Sequence, residues 1–466
     1  MKKLSLSIML LAITIITAFS QEVLTLEKCK ELALKNNVKA KNAEIAVEIA
    51  RQQQKEAFTN YFPSIKAAGL GFAANKPMVE MEMDMSAQMQ PMLETFTPAI
   101  IWAMQNGAPL DPAALAALQN QEPQKIEMLK NGVIAGVTAT QPIFVGGQII
   151  NGNRLAKAGV AVRKLQQQMT ENEVLLSAER YFWHLVSLQE KMKTIENSET
   201  MLVRILSDVK IAVEAGLTTR NDLLRVELEQ NRLAGNRSKA ENGLQVLKLA
   251  LSQMIGVPAD SFSIQPPQFD EIPLVPFPLG EGQGEVQNRP EYKLLDKSVE
   301  IAKMQTQMEI GKNLPAIAIG VGYNYMNFDL HKENGMKNNF SMVFGTVSVP
   351  ITDWWGGSHA IKRKKLEQQA AENTRKENAD LLLVQMQQIR NELNLSYSQI
   401  LLEKKSISAA EENLKISQDN YNAGVTALSD LLEAQNLLQQ ARDQHTEAIT
   451  QYYVKLAEWK KVSGAE

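Results

Sequence analysis

Two periods of hydrophobic residues run along this chain. Between Ala316 and Asn327 small residues alternate with larger apolar ones, and a period of two places the large side chains on one face of a strand. From Met386 onward an apolar or aromatic residue recurs at every seventh position, as in a helix that packs along its length against another helix. The series is Met386, Leu393, Ile400, Ile407, Leu414 and Tyr421. The pattern therefore predicts short strands joined to very long helices.

The long helices are predicted where proline is absent over many turns. The stretches Gly147 to Ala215 and Gly357 to Ala423 contain no proline, and at about 1.5 Å per residue each helix would be roughly 100 Å long. Shorter helical segments, about Thr25 to Asn60 and about Leu217 to Ile255, together match the length of the long helix between them. We therefore expect two short helices stacked end to end beside one long helix.

An internal duplication organises these elements. Val47-Glu48-Ile49-Ala50 recurs as Val299-Glu300-Ile301-Ala302, and Ala215-Gly216 recurs as Ala423-Gly424. Each repeat is predicted to run helix, strand, strand, long helix, turn and helix, with the turns near 216 and 424. The predicted boundaries are a first repeat over 21–256 with an external insert over 75–131, a Pro-rich linker over 257–287, and a second repeat over 288–466 with a strand pair over 315–350.

Four strands are predicted in all, two in each repeat. The first, Ser64 to Ala73, changes parity near Gly69, which predicts a β-bulge there. Pro142 and Pro350 are expected to end the returning strands because proline has no N–H for the ladder. Four strands cannot close a barrel, and an open sheet in lipid would leave unpaired backbone groups at both edges. A membrane-spanning sheet would therefore need several chains, with its bulky face toward lipid and its small, partly polar face toward a lumen.

The N-terminal residues have the pattern of an export signal. Lys2 and Lys3 precede an apolar run from Leu4 to Ala18, which is shorter than the roughly 20 residues of a spanning helix. We predict a signal peptide over 1–20 and an exported mature chain. Cys29 is the single cysteine, so no disulfide framework is expected.

Composition argues against several functional classes. The formal net charge is −3, whereas a nucleic-acid-binding protein needs a basic face. The four histidines are scattered without the spacing of metal ligands, and no constellation for nucleophilic catalysis is present. We therefore expect neither an enzyme nor a bound cofactor, and no nucleic-acid partner.

Methionines crowd the predicted external insert. Thioethers bind soft ions, so the cluster leaves a copper or silver efflux role open. The alternative is that a long loop uses flexible methionines for packing. The cluster comprises Met78, Met81, Met83, Met85, Met89, Met92 and Met104.

Motifs in a fixed order, most of them present twice, carry a resemblance to a known family. They are Leu24-Thr25-Leu26, Tyr61-Phe62-Pro63-Ser64, Gln141-Pro142-Ile143-Phe144 with Gly146-Gly147, Ala215-Gly216-Leu217-Thr218, Val349-Pro350-Ile351 with Gly356-Gly357, and Tyr421-Asn422-Ala423-Gly424-Val425-Thr426. Over essentially the whole mature chain, this arrangement resembles the TolC-like outer membrane efflux protein family.

The resemblance implies an α+β membrane protein, internally duplicated, that assembles as a homotrimer. Three chains would form a 12-stranded outer-membrane β-barrel, four strands per chain, continuous with a long periplasmic α-helical coiled-coil barrel. Such ducts dock with a periplasmic adaptor protein and an inner-membrane pump of the RND or ABC type. The implied function is a passive exit duct for drugs, other small molecules or proteins. A structural coiled-coil surface stalk is the non-channel alternative, and it needs neither duplicated strand pairs nor matching turns.

The same resemblance assigns a constriction and a gate near the two turns. Asp430 matches a position where the family can place a ring of carboxylates across the pore, and Glu433 matches a second; helix capping is the alternative for Asp430. Tyr421 and Asp222 match a pair that can hydrogen-bond between the coils and keep the tip closed. Thr426 stands where an arginine helps to lock the gate, and Arg220 would substitute from the other turn.

The resemblance also assigns the adaptor contacts to the turns themselves. Gly216 and Leu217 in one turn, with Gly424 and Val425 in the other, are the expected docking residues.

Overall fold

The computed structural model describes residues 22–83, 85–106, 124–265, 286–328, 336–351 and 353–463. The predicted signal peptide and most of the predicted linker lie outside these residues. The described chain separates into two compact units. The helical unit comprises Met1–Glu56, Gly152–Thr306 and Ile361–Glu466, and the sheet unit comprises Ala57–Asn151 and Gln307–Ala360.

Helices make up most of the chain, and two of them are very long. In order they are α1 (Leu26–Asn36), α2 (Val38–Thr59), α3 (Met85–Gln105), α4 (Gln148–Glu214), α5 (Arg220–Ile255), α6 (Pro290–Lys312), α7 (Asp353–Asn422) and α8 (Leu428–Ser463). Helix α4 has 67 residues and α7 has 70. Both long helices begin and end within a few residues of the proline-free stretches, because nothing in those stretches interrupts the backbone ladder.

The single helix expected from Thr25 to Asn60 is wrong, since the structure divides it into α1 and α2. Thr25 caps α1 by accepting from the backbone N–H of Lys28, and α1 ends at Asn37, whose backbone is extended. The Asn37 side chain accepts a hydrogen bond of 2.8 Å from the backbone N–H of Lys39. An asparagine that binds its own downstream backbone competes with the helix and starts a new one.

A small parallel sheet in the helical unit corrects the predicted linker. Strand β1 (Glu22–Leu24) pairs with β6 (Phe262–Ile264), which lies inside the 257–287 segment expected to be a linker. Leu24 and Phe262 are fully buried in a core that includes Trp183, whose ring stacks on that of Tyr453 with centroids 3.9 Å apart. The start of the linker therefore belongs to the hydrophobic core.

The sheet unit contains one four-stranded antiparallel sheet. Its strands, in spatial order, are β2 (Ser64–Ala73), β5 (Asn131–Val145), β7 (Ala316–Phe328) and β8 (Lys337–Ser348). A separate ribbon of β3 (Val79–Met83) and β4 (Gln124–Met128) lies in the external insert together with α3.

The expected bulge at Gly69 is absent, and a different one occurs in β5. Strands β2 and β5 pair without a shift, with Gly69 directly opposite Ala135. The register shifts instead between Pro142 and Phe144, where β5 faces β7. Pro142 has no N–H for this ladder, so the irregularity falls there and the strand continues to Val145 instead of ending at the proline. Strand β8 does end before Pro350.

The two faces of the sheet differ as the alternation in β7 predicts. Ile319, Val321 and Tyr323 on one face are exposed, whereas Gly320 and Gly322 on the other face are buried. The large apolar side chains therefore cover one side of the sheet, and the chain itself places nothing over them within the described residues.

Two glycines meet where α6 ends beside the turn from β5 into α4. A Cβ on Gly311 would lie 2.2 Å from the carbonyl oxygen of Gly146, and Gly146 itself has a left-handed φ of 61°. A Cβ on Gly146 would in turn lie 2.0 Å from the carbonyl oxygen of Gly311. Each added Cβ would therefore meet backbone, which cannot move aside as a flexible side chain can. This approach requires glycine at both positions.

We predict that Gly311→Ala destabilises the folded chain by about 2 kcal/mol or more because the added methyl overpacks a backbone contact. The measurement is thermal unfolding followed by circular dichroism in detergent. The matched control is Gly159→Ala in α4, where a Cβ meets nothing within 4 Å; it should stabilise the helix by about 0.5–1 kcal/mol. Equal melting temperatures for the two variants would contradict the close approach.

Candidate functional site

The two duplicated turns have the same backbone geometry. Turn A (residues 215–219) joins α4 to α5, and turn B (residues 423–427) joins α7 to α8. Gly216 and Gly424 are left-handed, with φ of 72° and 70°. The backbone N–H of Leu217 donates to Ala212 O at 2.8 Å, and that of Val425 donates to Asn420 O at 2.9 Å. Each long helix thus ends in a Schellman-type motif, whose left-handed position favours glycine.

The predicted docking residues present an open surface. Leu217 is 81% exposed and Val425 is 72% exposed. A Cβ placed on Gly216 or Gly424 would meet no atom within 4 Å. Each turn therefore offers an accessible glycine beside one solvent-facing aliphatic side chain, which is a surface that a partner can approach closely.

One hydrophobic cluster underlies both turns. It joins side chains of α4, α5 and α8, and Tyr421 from the end of α7 packs against it. The cluster comprises Ile195, Leu202, Ile205, Val209, Val226, Leu233, Leu428, Leu431 and Leu432. Residues beside the two turns therefore pack into the same hydrophobic core.

Turn A ends in a complete helix cap. Thr219 and Asp222 form a reciprocal capping box at the start of α5. The Thr218 hydroxyl donates to the Asp222 carboxylate at 2.7 Å, and the Thr219 hydroxyl does so at 2.8 Å. These hydrogen bonds, that of Thr218 first, lower the pKa of Asp222 below its ordinary value. The cap is therefore retained at neutral pH and is lost only as the pH falls through that lowered pKa.

Turn B lacks this cap. Ala427 occupies the position that corresponds to Thr219, so no side chain receives the backbone N–H of Asp430 there. Asp430 is exposed and accepts a bond of 3.2 Å from the Ser429 hydroxyl. Glu433 is also exposed, one turn further along α8. The structure thus gives the capping role to Asp222. The carboxylates of Asp430 and Glu433, at the start of α8, are exposed to solvent.

Of the other gate residues, the structure brings Tyr421 near Asp222. Tyr421 is half-buried, and burial, followed by the charges of Asp222 and Asp208, raises its pKa. No hydrogen bond joins Tyr421 to Asp222 within the part of the chain that the structure describes. Thr426 has a buried hydroxyl without a partner among the same residues.

Arg220 begins α5 and forms no ion pair within the described ranges. Instead Arg225 is the basic residue whose charge acts on Asp222. Sequence reasoning did not single out Thr219, although Thr219-x-x-Asp222 has the spacing of a capping box. It also did not single out Asp208, for which the chain carries no local signal because Asp208 approaches Tyr421 from a different helix.

The described residues contain neither a metal-binding cluster of His, Cys, Asp or Glu nor a helix suited to span a membrane. Within the described residues no cluster of three or more His, Cys, Asp or Glu side chains is arranged to hold a metal ion. Among those same residues, each helix is either too short or too polar to cross a bilayer.

Comparisons with known proteins agree with one another. Residues 285–465 match the family model described as outer membrane efflux protein. Outer membrane protein TolC of Vibrio cholerae serotype O1 is 17% identical over 355 residues, which cover 74% of this chain and 78% of that protein.

Solved structures show the same fold. VceC, an outer membrane protein of Vibrio cholerae, has a TM-score of 0.72 at 12% identity, with 94% of this chain and 96% of that chain covered. The Campylobacter jejuni CmeC outer membrane channel has a TM-score of 0.72 at 16% identity, with 94% and 85% covered.

We predict that Ala427→Thr restores a cap at turn B, because the new hydroxyl can accept the N–H of Asp430. Amide hydrogen exchange over 428–431 should slow about fivefold, the equivalent of about 1 kcal/mol. Thr219→Ala is the converse control and should speed exchange over 220–223. Unchanged exchange at turn B, with a clear effect at turn A, would contradict the assigned difference between the turns.

Proposed function

We propose that this chain is an outer-membrane protein of the outer membrane efflux protein family, which its match to that family model and its similarity to TolC support. It is a passive exit duct that works as a homotrimer. Its helices form a periplasmic tunnel, and its sheets close a 12-stranded barrel. It docks with a periplasmic adaptor and an inner-membrane pump of the RND or ABC type, which supplies the energy. Its cargo is drugs, other small molecules or proteins.

The observation that carries this proposal is the pair of free sheet edges. Among the described strands, β2 pairs only with β5, and β8 pairs only with β7. An edge in lipid would leave its N–H and C=O groups without partners, at a cost of several kcal/mol for each group. Pairing of β2 in one copy with β8 in the next removes both edges. Three copies supply twelve strands, which is enough for an aqueous bore.

The two faces of the sheet support the direction of closure. The outward face carries Ile65, Val137, Ile317, Ile319, Val321, Tyr323, Val343 and Val347, all of them exposed in the single chain. The opposite face carries the polar residues Lys66, Thr138, Thr140 and Asn324, together with the apolar Phe340, Met342 and Phe344 of β8. Lipid accepts the aliphatic face and water accepts the polar one.

The turns support the roles of the tip. Asp430 and Glu433 are exposed carboxylates that turn B does not use for capping, so three copies can present them to a common axis. Gly216, Leu217, Gly424 and Val425 are accessible to the tips of an adaptor. Tyr421 packs against the shared core, and Asp222, Thr426 and Arg220 lie in or beside the two turns, where an added contact can hold the gate closed.

Alternative functions have less support. Family members are channels, which favours a duct over a structural stalk or an enzyme. No cluster of His, Cys, Asp or Glu side chains in the described residues favours copper or silver export. The exposed thioethers of Met78, Met81 and Met92 are as expected for a surface insert.

We predict that the purified protein in a planar bilayer gives small, cation-selective openings, and that Asp430→Ala abolishes the selectivity. Three carboxylates near one axis attract cations and repel anions. Reversal potentials in a salt gradient measure the effect. Asp222→Ala is the matched control, since it removes an acid assigned to the cap and the gate and not to the constriction. It should change how often the pore opens and leave the cation selectivity unchanged. Selectivity that survives Asp430→Ala would move the constriction away from turn B.

We predict that Gly424→Asp prevents adaptor docking and export but leaves trimer formation intact. The position is open and left-handed, and aspartate tolerates that backbone, so the fold should persist while a charge enters the contact. Export in the native host and cross-linking to the adaptor are the readouts. Gly424→Ala is the size control and should retain most export. Normal export by the aspartate variant would exclude this turn from docking.

A further inference from the structure

Helix α3 of the external insert is long, largely apolar and almost uncharged. Its 21 residues contain one charged residue, Glu94. The adjoining ribbon of β3 and β4 is different, because it carries charges at alternate positions. They are Glu80, Glu82, Lys125 and Glu127. The insert thus separates a charged ribbon from a helix that has little to offer a charged environment.

The apolar residues of α3 gather on one side of the helix. They recur at spacings of three and four, which keeps them on one face. We call this set the insert face, and its members are Met89, Met92, Phe96, Ile100 and Ala103. The opposite side carries Gln90, Glu94 and Gln105, interrupted by Ile101. Helix α3 is therefore amphipathic, although it is nearly uncharged.

The insert face has no cover within the described part of the chain. Met92 is 63% exposed and Phe96 is 52% exposed, and Trp102, which borders the face, is 69% exposed. Among the described elements, no helix or strand packs along α3. A contiguous exposed surface of this kind is typical of a contact with a partner or with a membrane.

The place of the insert in the chain favours lipid as the cover. The insert is joined to the sheet at Ala73, where β2 ends, and at Asn131, where β5 begins. These are strands of the sheet whose aliphatic face is assigned to lipid. Each strand of the ribbon has five residues, roughly 17 Å, so α3 stays within reach of the membrane surface.

The chemistry of α3 favours the same occupant. A helix with one acid and no base gives a charged protein surface little to pair with. Aliphatic and aromatic side chains, with a tryptophan at their border, suit the boundary between headgroups and acyl chains.

We propose that α3 lies flat in the lipid surface, with the insert face among the acyl chains and Gln90 and Glu94 toward water. This inference rests on the proposed function, because it requires the sheet to lie in the outer membrane. Each copy thereby extends its lipid contact beyond the strands of the barrel. Since α3 has a single charge, the contact does not depend on anionic headgroups and is insensitive to salt.

The test is fluorescence quenching of the full chain in nanodiscs of phosphatidylcholine with brominated acyl chains. Phe96→Trp places the reporter on the insert face, and Gln90→Trp is the matched control on the opposite side. Both are made in a Trp102→Phe background, whose fluorescence is subtracted. Both positions are exposed in the single chain, so neither change removes core packing. Iodide in the buffer is the second quencher.

The expected result is that brominated lipid quenches the reporter of Phe96→Trp about twofold or more as strongly as that of Gln90→Trp, because only the first contacts acyl chains. Iodide should give the reverse order. The lipid quenching of Phe96→Trp should be the same at low and high salt.

Two results would overturn the inference alone. Quenching of Phe96→Trp by iodide and not by brominated lipid would place the insert face in water. Protection of Phe96→Trp from both quenchers would show that protein, such as a second copy, covers the face. Either result leaves the duct intact when the same preparation is trimeric and conducts ions in a planar bilayer. Failure of the chain to enter the nanodiscs would overturn the proposed function together with the lipid contact.

Discussion

The free backbone edges of one four-stranded sheet are the constraint on which this structure depends. Strands β2 and β8 each have a partner on one side only in the described chain, and the membrane has no water to satisfy the other side. Every further property of the proposed duct follows from closing those edges with other copies. Closure assigns the aliphatic face to lipid and the opposite, glycine-bearing face to a bore.

The two repeats diverge in how the helix that follows each turn is capped. Turns A and B share their glycine geometry, which keeps both surfaces available to a partner. They differ at the next step, because Thr219 completes a cap with Asp222 while Ala427 cannot form the corresponding cap with Asp430. A single difference in a duplicated element thus leaves one carboxylate outside the cap and keeps the other for helix stability.

Sequence patterns predicted the elements that depend on local chemistry. The alternation in β7 and the proline-free stretches of α4 and α7 depend on residues that are close together in the sequence. They can therefore be recognised from the sequence alone. The bulge beside Pro142 could not be placed, because it depends on which strand lies against β5. Strands β1 and β6 have three residues each and show no period.

The central claim is that the copies that close the sheet edges are the same copies that form the channel. The number of chains in the complex tests this claim most directly. Native mass spectrometry of the protein released from outer membranes into mild detergent measures that number. A complex of three chains is predicted. It should persist at detergent concentrations at which chains held only by hydrophobic contacts between helices would dissociate. A stable, membrane-inserted monomer with protected β2 and β8 amides would contradict it.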